Sequence, residues 1–159
     1  MGVEQYREAL DLLDQNGIKV LVRFPAAPEL VEEAETRLGH RFPPSYRLML
    51  EEFGLLLYKG TEINGIGKAG LSPDSKNNVV SLTASGRETG DLSDKMVRFM
   101  SSGYGPYFVL DCSEADAAGE APVYELSLAG QAGEKTKVAP DFGTFLLNEV
   151  KASVERIQG

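Results

Sequence analysis

Residues 28–54 read PELVEEAETRLGHRFPPSYRLMLEEFG, and this stretch decides the fold. Pro28 suits a first helical turn, where the N–H it lacks would have had no intrahelical partner. Val31, Ala34 and Leu38 then recur at helical spacing and form a buried stripe. Glu29, Glu32 and Glu33 crowd the opening turns, where the helix dipole favours anions. Gly39 supplies the left-handed stop. His40-Arg41-Phe42 makes a short connector, and Pro43-Pro44 opens a second helix that carries Tyr46, Met49, Leu50 and Phe53 and ends at Gly54. A proline start and a glycine stop, each used twice, predict a helix pair.

Upstream, Tyr6, Leu10 and Leu13 predict a helix over about Val3 to Asn16, with Gly17 as its stop. Ile18 to Phe24 alternates, with Ile18, Val20, Val22 and Phe24 on one face, and reads as a short extended segment ended by Pro25. Downstream of Gly54 the character changes to short apolar pieces, Leu55 to Tyr58 and Glu62 to Ile66, followed by a loop over Gly67 to Asn78. Val79 to Thr83 fits either a strand or the start of a brief helix. Met96 to Met100 and Tyr107 to Cys112 predict two strands around the Ser101–Gly105 turn, and Val123 to Leu128 a third. Phe142, Phe145, Leu146, Val150, Val154 and Ile157 predict a final helix over about Asp141 to Ile157. Helices, then a mostly antiparallel sheet, then a C-terminal helix make an α+β fold.

With 159 residues and no internal repeat or linker, one domain over 1–159 is expected. A chain of this size buries roughly 70% of its unfolded surface and needs no disulfide or metal staple. Sixteen Lys+Arg against 24 Asp+Glu leave a net charge of −8, which argues against nucleic-acid binding, where a basic footprint must displace phosphate counterions. The excess is uneven. Residues 1–53 carry ten acids and six bases, 54–110 five and six, and 111–159 nine and four. Such acidic ends suit fast docking to a basic partner, although solvated glutamate faces on helices give the same count.

Cys112 is the only cysteine, so no internal disulfide forms and a reducing, cytoplasmic home is expected. Gly2-Val3-Glu4-Gln5 offers neither the basic nor the apolar region of a secretory leader, and no apolar run approaches a membrane span.

Motifs for chemistry are sparse. Gly65-Ile66-Gly67-Lys68-Ala69-Gly70 matches G-x-G-x-x-G, but Pro73 spoils the helix that a dinucleotide site needs, and the match reads as a glycine-rich loop. His40 is the only histidine, which leaves a catalytic pair or a zinc site almost nothing to use. Cys112 follows Asp111, whose charge raises a thiol pKa and opposes nucleophile status. Asp111, Glu114, Asp116 and Glu120 fall within ten residues but lack the rhythm of a calcium loop. No catalytic residue, metal site or cofactor is expected, and the chain does not read as an enzyme.

The segment Pro-Glu-Leu-Val-Glu-Glu-Ala-Glu-Thr-Arg-Leu-Gly at 28–39, with Phe42-Pro43 and Ser45-Tyr46-Arg47 after it, resembles the SUKH superfamily, which includes the yeast cell-wall assembly regulator and many bacterial immunity proteins. Glu35, Leu38, Gly39, Pro43, Tyr46 and Gly54 occupy matching places. Gly105 with Phe108-Val109-Leu110-Asp111, then Pro122-Val123, resembles the family's hairpin, and Val138-Ala139 before Asp141-Phe142 its ending. The likeness covers about residues 28–157. Two departures are Phe53, where the family often has Asn before Gly, and the absence of a tryptophan common nearby.

The resemblance implies a non-enzymatic α+β domain that recognises proteins, typically a cytoplasmic bacterial immunity protein that neutralises a cognate toxin. A basic toxin domain would suit a −8 inhibitor. Loop position and residue type mark Tyr58, Tyr104 and Tyr107 as aromatic anchors and Glu62, Asp111, Glu114 and Asp116 as acidic contacts. Two other readings stay open. One is a binding module for an endogenous cell-wall or signalling partner. The other is a small-molecule binder or enzyme, whose sign would be a deep pocket with convergent polar groups.

Overall fold

The structure is a computed structural model that describes residues 1–127 and 134–158. Three helices open the chain: α1 (Val3–Gln15), α2 (Pro28–Leu38) and α3 (Pro44–Phe53). The hairpin β1 (Leu56–Tyr58) and β2 (Thr61–Ile63) follows, then α4 (Val79–Glu88). The antiparallel sheet β3 (Met96–Ser101), β4 (Tyr107–Asp111), β5 (Val123–Leu126) and β6 (Lys135–Ala139) is ordered as in the chain, and α5 (Phe142–Gln158) closes the fold. The α+β class and the order of its parts are as the sequence predicts.

The punctuation of the helix pair works as read. Pro28 and Pro44 stand at the starts of α2 and α3, and Gly39 takes the left-handed conformation. Val31, Ala34, Leu38, Tyr46, Met49, Leu50 and Phe53 are all buried. Residues 18–24 run extended with burial alternating along them, tied by Leu21 N–H to the Leu57 carbonyl and by Phe24 N–H to that of Phe53, both at 2.8 Å.

The ambiguous piece at Val79 is a helix. Asn78 caps it by accepting from Ser81 N–H at 2.9 Å, a local bond that gives the first turn an acceptor. Cys112 leaves the strand for a 3-10 turn at Cys112–Glu114, because the Asp111 carboxylate accepts from Ser113 N–H at 3.1 Å. The third predicted strand ends at Leu126, and position 128 lies outside the described residues. Strand β6 was not predicted: Lys135, Thr136, Lys137 and Val138 are exposed, so no alternation of apolar residues announces this edge.

One face of the sheet packs on the helices. Val97, Phe99, Leu110, Val123 and Ala139 join Tyr46, Phe142, Phe145 and Leu146 in the main core. Tyr46, Phe99 and Phe142 contact one another with ring centroids 5.2–6.0 Å apart, and the Tyr46 hydroxyl donates to the Asn64 carbonyl at 2.6 Å. The opposite face carries a smaller cluster of Leu92, Met96, Val109 and Leu126. Helix α1 lies against α5, so the two acidic ends of the chain are neighbours in space.

Three helix N-termini converge on one buried carboxylate. Glu120 is 2% exposed and accepts from Ser45 N–H at 3.0 Å and from the Ser45 hydroxyl at 2.9 Å. Ser45 Oγ in turn accepts from Gly143 N–H at 3.1 Å in the first turn of α5. Gly2, the residue before α1, packs so closely that a Cβ there would fall 2.4 Å from Glu120 Oε2. Burial raises the Glu120 pKa, and the bonds from Ser45 oppose that rise. Unpaired N–H groups at helix starts favour a negative charge in just this position.

Candidate functional site

The seven residues expected at a partner surface fall into three places. Tyr58 is fully buried, and its phenol is pushed up to about 12 by burial. It is therefore a core residue and not an exposed anchor, because strand β1 turns it inward between α5 and the hairpin. Asp111 is also misplaced by the sequence reading: it is 2% exposed, and both of its oxygens are occupied. Oδ1 accepts from the Ser113 backbone and hydroxyl, and Oδ2 from Lys135 Nζ at 2.8 Å. Burial raises its pKa, but Lys135 and Ser113 outweigh burial and hold the carboxyl below its ordinary value.

Glu114 and Asp116 lie at the same end of β4 as Asp111. Glu114 accepts from the Tyr124 hydroxyl at 2.6 Å and from Lys135 at 2.9 Å, while the Lys135 ammonium sits 4.3 Å from the Tyr124 ring centroid. The bond from Lys135 is the main cause of a lowered Glu114 pKa. Asp116 shapes its own loop by accepting from the N–H groups of Ala118 and Glu120 at 2.9 and 3.0 Å. The acidic run thus works largely as internal wiring, and no cluster of three or more metal-ligating side chains occurs among the described residues.

Tyr104, Tyr107 and Glu62 gather at the other end of the sheet. Tyr104, on the hairpin between β3 and β4, is 72% exposed, and its hydroxyl donates to Glu125. Glu62 is exposed on β2, which is joined to β3 by Asn64 N–H donating to the Phe99 carbonyl at 2.7 Å. Between them lies an open depression of about 390 Å³ lined by Glu62, Asn64, Ser101, Gly103, Glu149 and Arg156. Tyr107 is half-buried on the opposite face of the sheet, under the Arg98 guanidinium 3.3 Å from its ring centroid. The pleat separates the two tyrosines, since Tyr107 and Phe108 point to opposite faces and Glu125 pairs with Phe108. Sequence reasoning missed Glu125 and Glu149, which come from a strand and a helix and carry no local signal.

Another concavity, of about 450 Å³, lies beside the α2–α3 connector. Glu35 spans it, accepting from Phe42 N–H at 2.7 Å and from Arg47 Nη1 at 2.7 Å. Next to it, Arg87 donates to the Leu38 carbonyl at 2.7 Å, to the Met96 carbonyl at 3.1 Å and to His40 Nε2 at 2.8 Å. To accept that bond His40 must be neutral, with its proton on Nδ1 facing the Arg41 carbonyl at 3.2 Å. Burial first, then the charges of Arg87 and Lys95, lower the His40 pKa. Cys112 closes the far wall as a thiol pushed up to about 12, by burial more than by Asp111.

The sign of the His40 effect follows from linkage. The unfolded chain takes up its proton near pH 6.5 and the folded chain only below that, so the stabilisation is present above 6.5 and lost as pH falls. In urea titrations the drop in midpoint between pH 7.5 and 5.5 is expected to be smaller for His40→Gln, whose amide oxygen can still accept from Arg87. Equal drops in the two proteins would refute this assignment.

The fold is a helix-backed antiparallel sheet, and the residues of its sequence signature build the scaffold. Glu35, Leu38, Gly39, Pro43, Tyr46 and Gly54 each cap, pack or turn the chain. The chain belongs to the SUKH superfamily: the SMI1-KNR4 cell-wall family model matches residues 28–146. That membership makes it a protein-binding domain of the immunity or regulatory kind in general. No curated protein matches it. No helix among the described residues is long and apolar enough to cross a membrane.

Proposed function

We propose that this chain is a cytoplasmic immunity protein that binds a basic bacterial toxin domain and covers its active site, using the hairpin end of the sheet. The observation that carries the reading is Tyr104, 72% exposed yet held by Glu125 beside the depression of Glu62 and Glu149. A tyrosine fixed before binding offers a large amphipathic surface at small entropic cost. Around Tyr104 and the depression, the carboxylates of Glu62, Glu125 and Glu149 outnumber the Arg156 guanidinium and suit a cationic partner, and the adjacency of α1 and α5 keeps the acidic ends together. Tyr107, Glu114 and Asp116 are left as peripheral contacts, and nothing in the reading uses catalysis or a cofactor.

The test is capture by the tagged protein in cells of its own source, washed at moderate salt and eluted at high salt. A basic toxin-like partner is expected, released by salt and held at least about tenfold less well by the Tyr104→Ala/Glu62→Lys variant, a loss worth about 1.4 kcal/mol or more. Loss of the gene should be harmless unless that toxin is made. Undiminished binding by the variant would remove the hairpin end from the interface. The family description points to a second reading, regulation of an endogenous cell-wall partner. Recovery of wall-synthesis proteins, with a growth defect on deletion, would establish that reading instead.

A further inference from the structure

The concavity beside the α2–α3 connector is far from the hairpin end and has its own charge pattern. Glu35 and Arg47 neutralise each other across a 2.7 Å ion pair, and Arg47 also lies 3.7 Å from Glu51. His40 is neutral for the reason given above, and Cys112 remains a thiol. Two cations are left. Arg41 and Lys95 both line the cavity, both are exposed, and neither has an ion-pair partner among the described residues. Lys95 is held at the rim by its carbonyl, which accepts from Cys112 N–H at 2.8 Å, and Arg41 by its carbonyl bond to His40. Below them the wall is apolar, made by Phe42, Pro44, Ala115 and Ala118.

Arg41 and Lys95 thus place two cations, without ion-pair partners among the described residues, over an apolar floor. Arg41 presents a planar fork suited to an oxyanion, and Lys95 a movable point charge. A volume of about 450 Å³ is within the range of small-ligand sites. We propose that this cavity is a binding site for a small organic oxyanion, its carboxylate or phosphate seated between Arg41 and Lys95 and its apolar body against Phe42, Pro44 and Ala118. The site is independent of the toxin reading and stands whether or not that reading does.

The experiment is a titration of the full chain, labelled with nitrogen-15, with benzoate, phenyl phosphate and the uncharged benzyl alcohol, followed through backbone amide shifts. At least one anion is expected to bind saturably, at least about tenfold more tightly than benzyl alcohol, with the largest shifts at Phe42, Ala118 and Gly119. Benzoate binding more tightly would identify a carboxylate head group, and phenyl phosphate a phosphate. The Arg41→Gln/Lys95→Gln variant, altered only at exposed positions, should keep the amide spectrum elsewhere and lose at least about tenfold in affinity. Equal binding of all three compounds, shifts centred elsewhere, or full affinity in the variant would overturn the proposal.

Discussion

Gly54→Ala is expected to yield no folded protein at 37 °C, whereas Gly39→Ala should fold and lose only about 1 kcal/mol. Both glycines end helices and look alike in the sequence. Gly39 has φ 87° and ψ 10°, an ordinary left-handed stop, and a Cβ there would meet open space. Gly54 has φ 78° and ψ −59°, outside the region an L-residue tolerates, and its Cβ would fall 2.1 Å from the Phe24 carbonyl oxygen and 2.4 Å from that of Ile66. Those atoms are backbone, pinned by Ile66 N–H donating to the Gly54 carbonyl at 2.8 Å and Phe24 N–H to that of Phe53, so they cannot yield cheaply. Strain and overlap together cost about 4 kcal/mol or more, a large part of a domain's total stability. The comparison is made by soluble yield and urea unfolding of both variants. A folded Gly54→Ala protein within about 1.5 kcal/mol of the parent would show that the three strands of backbone can part there.

Phe142→Ala carries the second large effect, a loss of about 3–5 kcal/mol in urea or thermal unfolding. Its ring is fully buried and meets Tyr46 at 5.2 Å and Phe99 at 5.5 Å, both edge-on. It joins a helix, a strand and the start of α5, so truncation opens a cavity bordered by three elements that cannot all close on it. Phe99 and Phe145 continue the same stack at 5.3 Å. Tyr46→Phe is the contrast: it keeps the ring and loses only the bond to the Asn64 carbonyl, at a cost of about 1–2 kcal/mol. If Phe142→Ala cost no more than Tyr46→Phe, the aromatic cluster would not be the centre of the core.

Much of the fold was legible because its signals are local. Proline at a helix start and glycine at its end act through one residue's own dihedrals, so Pro28, Gly39 and Pro44 could be read without knowing any neighbour in space. The periodic stripes of α1, α2, α3 and α5 are equally local. The limits of that reading are visible at Val79, where Asn78 decided for a helix, and at β6, whose exposed Lys135 and Lys137 carry no hydrophobic pattern. The family likeness was readable for the same reason, since its signature residues are the ones that cap and turn the chain.

The sites were less legible, because burial and charge pairing depend on contacts between distant positions. Tyr58 and Asp111 have the composition of surface anchors, yet packing placed both inside. Glu120 looks like one more acid in a polar loop, and only the meeting of α1, α3 and α5 buries it, with its carboxylate accepting from Ser45 at the start of α3. Arg41 and Lys95 stand 54 positions apart in the sequence, and Glu62, Glu125 and Glu149 are spread over 87. The sequence by itself determined the class of fold, the approximate extents of α1, α2, α3 and α5, and the family, all set by short-range backbone preference and hydrophobic period. Tertiary structure alone decided which charges are spent on the scaffold and which remain for a partner, because desolvation and Coulomb energy are properties of neighbours in space.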